Sequence, residues 1–225
     1  MTAKAASGTA VVAGRTGLVG SRLLDMLLRE VRYRRVVAIS RRSLGPEPKI
    51  EVVDADFDRL DHSLGGVTSA DQPIDVFCCL GTTIGRAGSQ EAFRRVDHDY
   101  VLALGQWARR VRARRMIVIS AAGADPASRV FYSRVKGETE RDLAALRLRS
   151  LVIVRPSLLS GQRDEFRLGE RLALITARPF RALIPAGVRP IAAADVARAM
   201  LDAALSDAPP AVIDSAAMQG ASSRR

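Results

Sequence analysis

The chain has 225 residues, with 35 Lys and Arg against 24 Asp and Glu, a formal charge of +11. That length suffices for one domain with a full core, and the absence of any apolar run of about eighteen residues excludes a membrane-spanning helix. Aromatic residues make up 4% of the chain and none interleaves with the basic runs to stack on bases, so the positive charge reads as solvated arginine and not as a specific nucleic-acid site.

From the N-terminus, MTAKAASG leads directly into the apolar run TAVVAG, with no hydrophobic region and cleavage site of a signal peptide. SRLLDMLLREV then has helical spacing, VVAIS and IEVVDADF read as strands, and IDVFCCLG reads as a buried strand. That last run holds both cysteines, Cys78 and Cys79. Adjacent cysteines rarely bridge to each other, so a reduced, cytoplasmic protein is expected. FRRVDHDYVLALGQWARRV is helical, RMIVIS a strand, YSRVKGETERDLAALRL helical and SLVIVRPSLL a strand. Residues 157–190 carry Gly, Pro and Arg and read as a small substrate-side elaboration. IAAADVARAMLDAAL forms one more helix, and 219–225 a frayed tail. Strands alternating with helices predict an α/β fold, a doubly wound parallel sheet of the Rossmann type within one domain spanning 1–225.

VVAGRTGLVGSRLL places Gly14, Gly17 and Gly20 between the first strand and the first helix. Gly14 allows the tight turn, Gly17 lets backbone approach a pyrophosphate, and Gly20 lets the helix pack on the sheet, while the helix N-terminus offers unpaired N–H groups. A packing turn in another α/β protein would carry the same pattern, but the strand-turn-helix context favours a dinucleotide. The G-x-x-G-x-x-G spacing resembles that of the short-chain dehydrogenase/reductase superfamily. The second strand ends in Arg41 and Arg42, where an NAD site usually carries an acid for the ribose 2′-hydroxyl. Either arginine, with Arg15, suits a 2′-phosphate, so the expected cofactor is NADP(H).

Tyr132 and Lys136 stand four apart on a predicted helix and share one face. Lys136 is one of three lysines in a chain whose other basic residues are all arginine. Its ammonium would favour the tyrosinate and bind ribose hydroxyls as a compact point donor. Ser120 ends the strand twelve residues before the tyrosine, and Ser120, Tyr132 and Lys136 in this order resemble the catalytic set of the short-chain dehydrogenases.

Longer stretches narrow the resemblance. VFCCLGTTIGRAGSQEAFRRVDHDYVLALGQWA, SAAGAD, FYSRVKGETE, VRPSLLSGQRDEFRLGE and DVARAML resemble a group of small atypical short-chain dehydrogenases, the Tat-interacting-protein oxidoreductases, over about residues 10–205. The resemblance implies a Rossmann fold binding NADPH. Gly14, Arg15, Thr16, Gly17, Leu18 and Val19 would then line the phosphates, and Arg41 and Arg42 the 2′-phosphate. Leu80, Gly81 and Thr82 would touch the adenosine side. Tyr132 and Lys136 would be the catalytic pair, and Arg155, Pro156 and Ser157 would border the nicotinamide. The family often shows two serines where this chain has Ser120 and Ala121, which leaves open which hydroxyl works.

Two readings of function follow. One is an NADPH-dependent reductase of a small carbonyl, or the reverse alcohol dehydrogenase. The other is an NADPH-binding redox sensor acting through a regulatory protein partner; a homodimer is compatible with either. His62 and His98 are too few and too scattered for a metal site. Arg163–Arg167 either shapes a substrate pocket or forms a surface turn. Arginine clusters around residues 29–35 and 109–115 fall in helix-to-strand loops, at the sheet edge opposite the cofactor.

Overall fold

The computed structural model describes residues 8–40, 49–67, 72–160 and 189–222. GTAVVA forms β1 (Gly8–Ala13), buried at every position, and β4 (Ile74–Cys78) is equally buried. Strands hidden on both sides must have both faces covered, and they do. Ala10 and Val12 of β1 point into one core with Leu23, Leu24 and Leu27 of α1 (Leu18–Arg29). Val11 and Ala13 point into the other.

The described strands form a seven-stranded sheet in which every pairing is parallel. β2 (Tyr33–Ser40) and β3 (Ile50–Asp54) lie on one side of β1. β4, β5 (Arg115–Ile119), β6 (Leu151–Arg155) and a short edge strand lie on the other. The chain therefore changes direction between β1 and β4, and the crevice at that switch point is where an open α/β sheet binds ligands. Past the single-turn α2 (Leu60–Ser63) and the short, unburied α3 (Ile84–Ala87), which ends at left-handed Gly88, the face opposite α1 is covered by one helical run. It comprises α4 (Gln90–Arg94), a π-helical turn at Arg95–Asp99 and α5 (Tyr100–Arg110). Its companion on that face is α6 (Phe131–Ala145), and α7 (Ala193–Leu205) packs beside α1.

Three observations modify the sequence reading. The helix expected over 93–111 is interrupted by the π turn. β7 (Leu159–Ser160) pairs with β8 (Ile191–Ala192) in a separate two-stranded sheet. The expected tail at 219–225 begins inside α8 (Ser215–Ser222), which follows the edge strand β9 (Val212–Asp214). Gln219 is tied there, donating to the Arg189 carbonyl at 3.0 Å and to Ser215 Oγ at 3.3 Å. Most of the 157–190 elaboration, including Arg163–Arg167, lies outside the described residues, as do residues 223–225.

Candidate active site

A cleft of about 720 Å³ opens at the carboxyl ends of the strands. Its walls come from the start of α1 (Gly17, Leu18, Val19), the turn after β4 (Cys79–Thr83), the end of β5 (Ile119–Ala122), α6 (Tyr132, Lys136) and the segment after β6 (Pro156–Leu159). Every one of these pieces follows directly from a parallel strand or starts the helix after one.

The glycine turn is shaped by contacts a side chain would break. Gly14 has φ +86°, and a Cβ there would stand 2.4 Å from the Cys79 carbonyl oxygen. A Cβ on Gly20 would stand 2.1 Å from the Gly14 oxygen. The glycines thus bring α1, its own turn and the end of β4 into backbone contact. Gly17 is the N-cap of α1 and supplies no side-chain cap, and the first turn contains no acid. The amides and positive dipole end are left for an anion from outside the helix.

On the opposite wall, Ser120 Oγ is buried with no hydrogen-bond partner among the described residues. A buried hydroxyl without a partner is destabilising unless a bound group supplies one. Tyr132 lies at the cleft, 37% exposed, with its ring 5.6 Å from that of Phe93. Lys136 is buried, and its Nζ lies 2.7 Å from Oδ1 of buried Asp97. Burial alone would depress the ammonium, but the charge of Asp97, with that of Tyr132, holds Lys136 above its ordinary value. Gly137 locks this helix in place, since a Cβ there would stand 2.2 Å from the Asp125 carbon and the Pro126 nitrogen. The Asp125 amide also donates to the Ser133 carbonyl at 3.1 Å, so the loop following Ser120 and the helix bearing Tyr132 are one unit.

Of the residues singled out from sequence, Gly17, Leu18, Val19, Leu80, Gly81, Thr82, Ser120, Tyr132, Lys136, Pro156 and Ser157 line the cleft together. Gly14, Arg15 and Thr16 form the turn just before its α1 wall. Ser157 accepts from Ser215 Oγ at 2.8 Å and donates to the Arg189 carbonyl. Arg155 does not join the wall. Its Nε donates to Glu140 Oε1 at 3.0 Å, which ties β6 to α6. Arg41 and Arg42 lie outside the described residues. Three polar cleft residues escaped the sequence reading, Thr83, Arg86 and Asp97. Asp97 had a signal: it stands on the stripe Phe93, Val101, Leu104, Ala108, all buried, where an acid needs a partner. Ala121 is buried on the cleft wall and carries no hydroxyl, so Ser120 is the serine at this point.

Cys79 also reaches the cleft, with its sulfur 3.9 Å from Met200 Sδ. Burial pushes the Cys78 thiol to about 11 and the Cys79 thiol well above its usual value, so neither is a thiolate at neutral pH.

The glycine turn, the uncapped helix start, the orphaned Ser120 hydroxyl and the buried ammonium together fit a nicotinamide dinucleotide. Residues 10–210 match the model of the NAD dependent epimerase/dehydratase family. The chain belongs to this family. Among its curated relatives, this member of the epimerase/dehydratase family is 38% identical over 169 residues to Protein HTATIP2 of Rattus norvegicus, covering 72% of this chain and 67% of that one. It is 36% identical over 166 residues to Protein fmp52, mitochondrial, of Emericella nidulans, covering 71% and 70%. It is thereby an HTATIP2-like atypical short-chain dehydrogenase and an NAD(P)-dependent enzyme of oxidoreductase type. Solved structures share the fold at low identity. MoeE5 in complex with UDP-glucuronic acid and NAD superposes with TM-score 0.68 at 22% identity, covering 92% of this chain and 75% of that one. WbmF of Bordetella bronchiseptica in complex with NAD+ gives 0.65 at 15%, covering 97% and 78%.

Proposed function

We propose that this chain is an NADPH-dependent reductase of a small carbonyl compound, or the reverse alcohol dehydrogenase, working through Ser120, Tyr132 and Lys136. The observation that carries the reading is the buried Ser120 hydroxyl, without a hydrogen-bond partner among the described residues, on the same cleft as Tyr132, Lys136 and the start of α1. The nicotinamide, when bound, supplies or takes up the hydride. Ser120 and Tyr132 donate hydrogen bonds to the carbonyl oxygen, and Tyr132 passes it a proton as negative charge develops there. Lys136 holds positive charge beside the phenol and favours the tyrosinate left behind.

Preference for NADPH rests on the end of β2. Ser40 is its last residue, Arg41 and Arg42 follow, and no acid stands there for a ribose 2′-hydroxyl. Arg15, half-buried in the glycine turn, supplies a further cation. No described helix is long and apolar enough to cross a membrane. Free Cys78 and Cys79 support a reducing compartment, which we place in the cytoplasm, although relatives carry the word mitochondrial in their names.

The test is NADPH oxidation across aldehydes, ketones and quinones, with UDP-glucose as a contrasting substrate and Tyr132→Phe as the control. Tyr132→Phe should bind NADPH with nearly parental affinity and lose about 10²–10⁴ in turnover. NADPH binding with no turnover of any carbonyl, and no effect of Tyr132→Phe, would favour a redox-sensing binding protein instead.

A further inference from the structure

Lys136 does not stand alone beside Tyr132. We infer that Asp97 is a positioning residue of this site, holding the Lys136 ammonium as a cation on the Tyr132 side of the cleft and fixing it to the turn after β4. The inference rests on reading Tyr132 and Lys136 as the reacting pair, and adds the group that makes the lysine fit for that role.

The contacts are built from three directions. Asp97 Oδ1 lies 2.7 Å from Lys136 Nζ, and this ion pair is its one partner among the described residues. Oδ2 accepts the Thr82 amide at 2.8 Å, which joins the carboxylate to the cleft floor. The Asp97 carbonyl accepts Thr139 Oγ at 3.0 Å, which joins its backbone to the helix that carries Lys136. Asp97 sits within the π turn Arg95–Asp99. Such a turn carries an extra residue and redirects the side chains around it, and π turns are frequent at functional sites.

The electrostatics require such a partner. Lys136 is 5% exposed and Asp97 1%. An isolated ammonium in so dry a place gives up its proton, whereas one in contact with a carboxylate keeps it. The other groups facing Lys136 do not replace Asp97. Tyr132 comes from its own helix, and Cys78 of β4 is held protonated by burial. Glu140, one turn further along α6, is taken by Arg155. His98, beside Asp97 in the chain, lies between Asp99 at 2.7 Å and Asp142 at 2.9 Å. Asp97 is thus the carboxylate that ion-pairs with Lys136 among the described residues.

Composition makes the test direct. The chain has three lysines, Lys4, Lys49 and Lys136, so lysine labelled with ¹³C at Cε gives three side-chain signals. Lys136→Met assigns the one that matters. In the parent, the Lys136 signal should keep its charged position to pH about 10 or beyond, as for an ammonium with a carboxylate partner. Asp97→Asn keeps the shape and an oxygen for the Thr82 amide but removes the charge. The Lys136 midpoint should then fall by about one pH unit or more. Asp97→Glu, which restores a carboxylate, should bring it part of the way back. A merely structural Asp97 would alter the melting temperature in these variants without moving that midpoint. An unmoved midpoint in folded Asp97→Asn overturns the inference. So does a parent whose Lys136 loses its proton below about pH 9, a result that needs no variant to fold. The readout is independent of turnover. A Tyr132→Phe enzyme that still reduced its substrate would remove the proposed chemistry and leave the titration standing, and an unmoved midpoint would do the reverse.

Discussion

Arginine fills 32 of the 35 basic positions, and the two lysines among the described residues both stand where a guanidinium fits poorly. Lys49 Nζ donates to the carbonyls of Leu27, Leu28 and Glu30, at 3.3, 2.8 and 3.0 Å. These carbonyls converge at the C-terminal end of α1; the Leu27 and Glu30 oxygens also accept the Glu30 and Tyr33 amides, at 3.2 and 3.3 Å. One tetrahedral ammonium can send three donors to three converging oxygens; a planar fork cannot do so from one atom. Lys49→Arg should therefore lower stability by about 1 kcal/mol, read from urea unfolding. Lys136→Arg keeps the charge but brings a wider group into a buried space against Asp97 and beside Tyr132. Weaker NADPH binding and slower turnover together are expected, by calorimetry and steady-state kinetics; parental values in both would make the lysine an accident of composition. Tyr132, Lys136 and Ser120 were legible in the sequence because an i, i+4 pair on a helix and a serine at a strand end are local patterns. Asp97 was marked only by its place on an apolar stripe, and its role was not legible, because that depends on Thr82 and Lys136, which come from other elements.

Among the elements, the π turn and α6 carry Asp97, Tyr132 and Lys136, and two further contacts fix α6 in place. The first is His98, whose ring nitrogens reach Asp99 and Asp142, the latter on α6. Hydrogen bonds from Arg141 and His98 hold the Asp142 carboxyl down at about 2, against an ordinary 3.8. A depressed carboxyl contributes stability that is complete above about pH 4 and lost as the pH falls towards 2. Asp142→Asn should be less stable than the parent at pH 7, and its stability should fall less steeply between about pH 4 and pH 2, as thermal melts across that range would show. The second contact is Gly137 against Asp125 and Pro126. Gly137→Ala forces backbone apart, and a cost of about 1–3 kcal/mol with weakened NADPH binding is expected, since Lys136 is the adjacent residue. The long helix was legible from its apolar stripe, but the π turn within it was not. An interruption of this kind adds one residue to one turn, too small a shift to show in the apolar pattern, and it is held by contacts from other elements, such as those of Asp97 to Thr139 and Lys136. β9 escaped for a related reason: three residues at a sheet edge carry too short a pattern to separate from a loop.

For the whole molecule, the doubly wound sheet was legible because strands covered on both faces must be apolar throughout, and those runs alternate with amphipathic helices. The meaning of the +11 charge was less so, because arginine looks the same in a sequence whether it is solvated or structural. Several arginines at the helix-to-strand edge turn out to be occupied. Arg114 Nε donates to buried Asp75 at 2.9 Å, and Asp75 also accepts the Tyr33 hydroxyl at 2.6 Å. Arg115 is buried and donates to the carbonyls of Ala203, Ala204 and Ser206, closing the C-terminal end of α7. Arg32 pairs with Glu30 and Arg35 with Glu51.

That occupancy sets what the basic edge can do with a polyanion. Of the arginines in the two clusters, Arg29, Arg34, Arg109 and Arg112 have no ion pair among the described residues. A duplex touching this edge would thus release counterions for about four phosphates, and the logarithm of affinity should fall against the logarithm of salt with a slope of about −4 or shallower. Binding of that kind carries no sequence preference and sits at the non-specific level, Kd about 10⁻⁴–10⁻⁶ M at physiological salt. Fluorescence anisotropy of two unrelated duplexes across a salt series measures both quantities. Equal, weak and salt-sensitive binding is expected, and replacing Arg109 and Arg112 by alanine should lower the slope by about two. Tight binding to one duplex and not the other at physiological salt would mean that the edge opposite the cleft recognises bases, and that the solvated-arginine reading of this charge is wrong.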